Sequence, residues 1–158
     1  MSWDKDLQII QAEVKLSIDH TILVEEPLCI DVGLPALLLS ALEDVKPNRW
    51  AQAHEWERMP FFVCGCGDPE CRAFSFVVHH GKETELELIE VEEKQNSEYR
   101  VLDTHLVNKQ QYRIQVMKLG WQYIQFIEGL DYKPYMANTV EVVKELLEKL
   151  EQEGSTVR

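Results

Sequence analysis

Three of the four cysteines of this 158-residue chain fall close together, in the run Phe61-Phe62-Val63-Cys64-Gly65-Cys66-Gly67-Asp68-Pro69-Glu70-Cys71. Thiolate sulfur is a soft donor that suits zinc. A structural zinc site takes four ligands on a tetrahedron, commonly four cysteines, three cysteines and a histidine, or two of each. The C-x-C-G-x3-C spacing supplies Cys64, Cys66 and Cys71 and leaves one ligand to be found. His79 and His80 are the nearest candidates, because adjacent strand residues point to opposite faces and either ring could look back toward the turn. His20, His54, His105 and Cys29 are donors that only folding could bring near. The leading expectation is therefore a structural zinc on Cys64, Cys66 and Cys71 with His79 or His80, fixing two strand ends.

The same residues allow two other chemistries. Cys64-Gly65-Cys66 is a close dithiol that could exchange disulfides, with Cys71 resolving the mixed intermediate. Asp68 and Glu70 disfavour a thiolate, which Arg72 only partly offsets, and neither acid hinders zinc binding. Three cysteines plus a water is also the pattern of an open, catalytic zinc. The bland alternative is a glycine-rich hairpin carrying reduced thiols. Cys29, alone in an apolar stretch, reads as core.

No other constellation carries chemistry. His54-Glu55-Trp56-Glu57-Arg58 lacks the second histidine of a zinc-protease helix, and no nucleophile elbow, phosphate-cradling loop or dinucleotide fingerprint is present. The acidic run from Glu83 to Glu93 reads as a solvated strand face that discourages edge pairing. With no catalytic set to name, the expectation leans to a non-enzymatic binding or interaction protein.

Composition narrows the partners. Net charge is −12, from 28 acidic against 16 basic residues. Nucleic-acid binding draws on clustered Lys and Arg, so nucleic acid and anionic membranes are set aside in favour of a protein partner or a homodimer. No apolar run reaches membrane-span length, and the first residues have neither the basic start nor the apolar core of a signal peptide, which predicts a cytoplasmic protein. There thiols stay reduced, which favours metal over disulfide.

The elements that must position the cysteines follow from period. Alternation through Ala12, Val14, Leu16 and Ile18 predicts a strand, Asp19-His20 a turn, and residues 21–32 a second strand with Pro27 at a break or an edge. Leu37, Leu38, Leu39, Leu42 and Val45 repeat at three and four, predicting a helix opened by Pro35 and closed before Pro47. Residues 48–59 are expected to add a helical turn. Met59–Val63 and Ala73–His79 read as an antiparallel pair carrying the cysteine turn, Glu83–Glu92 as a strand with a bulge near Ile89, and Tyr99–His105 as a short strand. Asn108 caps a long helix, and Asn138 with Glu141 opens a last one on Val140, Val143, Leu147 and Leu150, stopped by Gly154. The result is one α+β domain over 1–158, with an antiparallel sheet of about five or six strands, one inserted helix, two C-terminal helices, and a frayed tail at 154–158.

An aromatic-aliphatic strand entering C-x-C-G-x3-C, a second apolar strand, and a helix opening near Gln111-Tyr112 resembles a loose group of uncharacterised bacterial proteins. The likeness covers Pro60 to Tyr112, about half the chain at most. It implies a bacterial, intracellular protein and no particular activity. Glu70 stands where that group carries a small residue.

Overall fold

The computed structural model describes residues 1–96 and 98–156. Seven strands form one sheet in chain order: β1 Ser2–Asp4, β2 Ile9–Ile18, β3 Thr21–Cys29, β4 Phe62–Val63, β5 Ala73–His79, β6 Glu85–Lys94 and β7 Glu98–Asn108. Every neighbouring pair is antiparallel. Among the described residues three α-helices complete it, α1 Leu34–Ser40, α2 Lys109–Ile127 and α3 Thr139–Thr156, with a single 3-10 turn at Trp56–Arg58 where a helical turn was expected. The α+β class and the antiparallel sheet are as expected. The count rises to seven because β1 pairs Trp3 with Ile10, a three-residue strand too short to show a period.

Tight turns set the registers. Asp19 and His20 both take positive φ between β2 and β3, the geometry that lets a two-residue loop follow the strand twist. Pro27 lies inside β3 opposite Glu13, and β3 pairs with β4 only at Cys29 and Val63. Its missing N–H is harmless on that free flank. The β6–β7 ladder shifts register between Glu90 and Val91, leaving Leu102 as the extra residue of β7, one step from the expected bulge.

The helices lie over one face of the sheet. Phe76, Val78, Leu86 and Leu88 from the strands meet Leu34 and Leu38 of α1, Tyr112, Val116 and Tyr123 of α2, and Val143, Leu147 and Leu150 of α3. Asn108 caps α2 as expected, its side chain accepting from Gln111 N at 3.0 Å. A Cβ on Gly120 would stand 2.9 Å from Leu147 Cδ2 and 3.2 Å from Leu38 Cδ2, so this glycine marks the close approach of the three helices. A smaller cluster of Ile9, Cys29, Val32, Met59 and Val63 is closed over by Ala51 and Ala73.

Three boundaries differ from expectation. Helix α1 ends at Ser40, and Val45 instead bridges to Val78 of β5, exchanging two backbone bonds of 3.1 Å. Sheet pairing there outcompetes another helical turn. Only Phe62 and Val63 of the expected Met59–Val63 strand pair with β5, although Met59 and Phe61 are buried beside it. Helix α3 runs through Gly154 to Thr156, where the tail was expected to fray from 154, and residues 157–158 lie outside the described residues.

Candidate metal centre

The β4–β5 connection carries the cysteines. Cys64 N bonds Arg72 O at 2.8 Å as the last rung of the hairpin, Gly67 N reaches back to Cys64 O at 2.8 Å, and Cys71 N bonds Asp68 O at 3.1 Å. The Asp68 carboxylate accepts from Glu70 N at 2.9 Å, so this acid closes the turn. Gly67 adopts φ +83°, and a Cβ there would meet Ile9 Cγ2 at 2.7 Å. Of the two turn glycines it is the one whose conformation and space both require glycine.

Two side chains from elsewhere hold the loop. Gln11 of β2 donates Nε2 to Gly65 O at 2.5 Å, and the Arg49 guanidinium donates to Pro69 O and Glu70 O at 3.0 and 3.1 Å. Arg72 leaves the turn with its guanidinium 2.7 Å from Glu26 Oε1 and 4.9 Å from the Phe74 ring centre. Neither Gln11 nor Arg49 is visible as a site residue from sequence. A glutamine on the polar side of a strand and an arginine in a polar connection are common, and only the tertiary approach gives them a role.

The turn brings Cys64, Cys66 and Cys71 together, their sulfurs all within 4.8 Å of one another. Sulfurs held at about 2.3 Å on a zinc tetrahedron stand roughly 3.8 Å apart, so a small inward closure of the side chains fits the donors to the ion. All three thiols are free, Cys66 and Cys71 are exposed, and the donors are the soft type zinc prefers.

The thiols already act on one another. The Cys64 thiol is lowered from its ordinary value, first by the Cys66 backbone N–H and then by the Cys66 and Cys71 thiols, all of which stabilise its thiolate. The Cys71 thiol is pushed up to about 11, chiefly by its interactions with Cys64 and Cys66. One sulfur of the three is therefore favoured to carry charge, and the next proton is harder to remove.

The fold does not bring His79 and His80 to the thiols. They stand at the far end of β5, about 20 Å along the strand from Ala73. His79 Nδ1 lies 3.1 Å from Asp44 Oδ2, while His80 takes Asp44 Oδ1 on its backbone N–H and Ser40 O on Nε2, both at 2.7 Å. The His80 N–H is the main reason that the Asp44 carboxyl lies below its usual range. Strand length explains the difference: a histidine eight or nine residues past Cys71 cannot return to the turn when β5 is straight. Among the described residues, no histidine, aspartate, glutamate or further cysteine joins the three thiols.

Beside the turn lies an open cleft of about 350 Å³ lined by Cys66, Asp68, Leu7, Ile9, Lys133 and Tyr135, among others. The α2–α3 connection that forms one wall is tied down twice. Lys133 N donates to Gln8 Oε1 at 2.7 Å, and the Tyr132 hydroxyl donates to Asp31 Oδ2. Asp31 is buried and also accepts from Cys29 Sγ at 3.0 Å, while the Tyr123 and Tyr132 hydroxyls meet at 3.0 Å. Burial raises the Asp31 carboxyl against the pull of its donors, and it raises the thiol of Cys29, which packs in the core with Ile9, Val32, Met59 and Val63 as expected.

No helix among the described residues is long and apolar enough to cross a membrane. Comparison with protein-family models, with curated proteins and with solved structures finds no significant match.

Proposed function

We propose that this chain is a non-enzymatic, zinc-binding interaction protein in which Cys64, Cys66 and Cys71 hold the ion. The observation that supports it is the convergence of three free thiols on one point at the end of a hairpin that Gln11 and Arg49 brace from other elements. The zinc is structural: it fixes the β4–β5 turn, whose 64–71 segment has only a few backbone bonds of its own. The fourth ligand of a closed, structural site would come from a group outside the described residues. Cys66→Ser tests this reading. Metal content and melting temperature should fall together; loss of metal with an unchanged melting temperature would count against a structural role.

A second reading is thiol–disulfide exchange, favoured by the lowered pKa of Cys64. The Cys64 thiolate would attack a disulfide, expel one sulfur as thiolate, and be resolved by Cys66 or Cys71 with release of the second. Metal-free, reduced protein should then reduce a model disulfide at a rate that Cys64→Ser abolishes; inertness of that sample would eliminate it.

A further inference from the structure

Strand β7 ends the sheet, paired with β6 on one flank and with no strand on the other among the described residues. It is 11 residues long and contains neither proline nor lysine, and of the devices that blunt such an edge it carries a bulge at Leu102 and the charge of Asp103. Val101, Leu102 and Leu106 are 53%, 49% and 48% exposed along it. The opposite edge of the sheet, β1, is only three residues long, so a head-to-tail chain of sheets has nothing of matching length to join.

The bulge limits what β7 can pair with. Ladder partners Glu90 and Asp103 are followed by Val91 and Val101, so Leu102 breaks the alternation and a regular strand runs from there to Asn108. In that segment Asp103, His105 and Val107 share the face of Leu86 and Leu88, on which the helices lie, while Thr104 and Leu106 share the other. His105 Nε2 is shielded from solvent, makes no hydrogen bond, and lies 3.4 Å from Asp103 Oδ2.

We propose that β7 pairs with β7 of a second copy of this chain, antiparallel about a two-fold axis at Thr104. Such a two-fold, perpendicular to the sheet, keeps each side chain on its own face and must centre on a residue. A centre at Asp103 sets two carboxylates opposite each other, and one at His105 sets two imidazoles opposite. Centres at Val101 or Leu102 fall on the bulge. A centre at Thr104 sets Asp103 opposite His105 twice on one face, and Leu102 opposite Leu106 twice on the other. Of these centres, Thr104 is the one favoured by carboxylate–imidazole and apolar matching. Each imidazole gains a second carboxylate, and the exposed leucines cover each other. The matched stretch is short and each chain carries −12, so the dimer is weak and tightens with added salt, which screens the repulsion between chains more than the close pairs.

The test is sedimentation velocity from micromolar to millimolar protein, with reductant and chelator so that the exposed cysteines cannot join chains. A reversible monomer–dimer equilibrium is expected. Asp103→Lys and Leu106→Lys, both at exposed positions, should each weaken it at least tenfold. The exchanged double variant Asp103→His with His105→Asp restores the opposite pairs only in this register, and should recover dimerisation. Circular dichroism and melting of every variant check that the fold is retained. A protein monomeric at millimolar concentration, a dimer indifferent to both lysine variants, or an exchanged variant no better than Asp103→Lys would each overturn the proposal.

Discussion

Gln11 Nε2 donates to Gly65 O across 54 residues of chain, the bond by which β2 holds the cysteine turn in place. With the Arg49 guanidinium on Pro69 O and Glu70 O, it narrows the positions open to the turn, which zinc then fixes. Preset donors lose less freedom on binding, so the brace contributes to metal affinity as well as to the fold.

Gln11→Ala should therefore weaken zinc binding by about fivefold, the equivalent of about 1 kcal/mol for one hydrogen bond. Competition against a chromophoric chelator measures it. Unchanged affinity would mean that the thiols organise themselves around the ion without help from β2.

The two turn glycines should respond differently. Gly67→Ala forces an L-residue into φ +83° against Ile9 and should cost about 1–3 kcal/mol, with weaker metal binding. Gly65→Ala meets nothing nearer than Gln11 Nε2 at 3.7 Å and should stay within about 0.5 kcal/mol. Denaturant melts of the two variants make the comparison; equal losses would contradict it.

Zinc binding should release protons. The Cys71 thiol, at about 11 without metal, is protonated at neutral pH, and zinc takes thiolates only. Apparent affinity should rise with pH near neutrality, about tenfold per pH unit for each proton displaced, that of Cys71 among them. Calorimetry in buffers of different ionisation enthalpy counts them. An affinity flat between pH 6 and 8 would show that the thiols are not the ligands.

Asp31 gives a pH signature of the fold. Its carboxyl is raised by burial, so the folded chain holds that proton more tightly than the unfolded chain, whose value is about 3.9. Its contribution to stability is fully present below about 3.9 and is lost as pH rises through the higher folded value. Asp31→Asn removes this titration. Urea midpoints of the variant should fall less, or rise more, than those of the parent as pH increases over that window; parallel curves would mean that Asp31 does not titrate differently on folding.

Much of this arrangement was legible in the residues and some was not. Strands β2 and β5 and the cap at Asn108 follow from alternation and from one side-chain acceptor, both local signals. The three thiols were legible for the same reason, since eight residues of chain keep them close whatever the fold. The fourth ligand was not: His79 is near Cys71 in sequence, but β5 carries it to Asp44 at the other end of the hairpin. Nor was the Asp31–Tyr132 bond, formed between residues 101 positions apart. Helix α1 stopped early because Val45 found a sheet partner in Val78, a competition that the leucine period does not reveal.

The most direct measurement is elemental analysis of the protein purified without chelator, with free thiols counted on the same sample before and after chelation. One zinc per chain, with three thiols released only when the metal is removed, is the expected result for a site built on Cys64, Cys66 and Cys71. No metal, with Cys64, Cys66 and Cys71 all reacting freely before chelation, would contradict it.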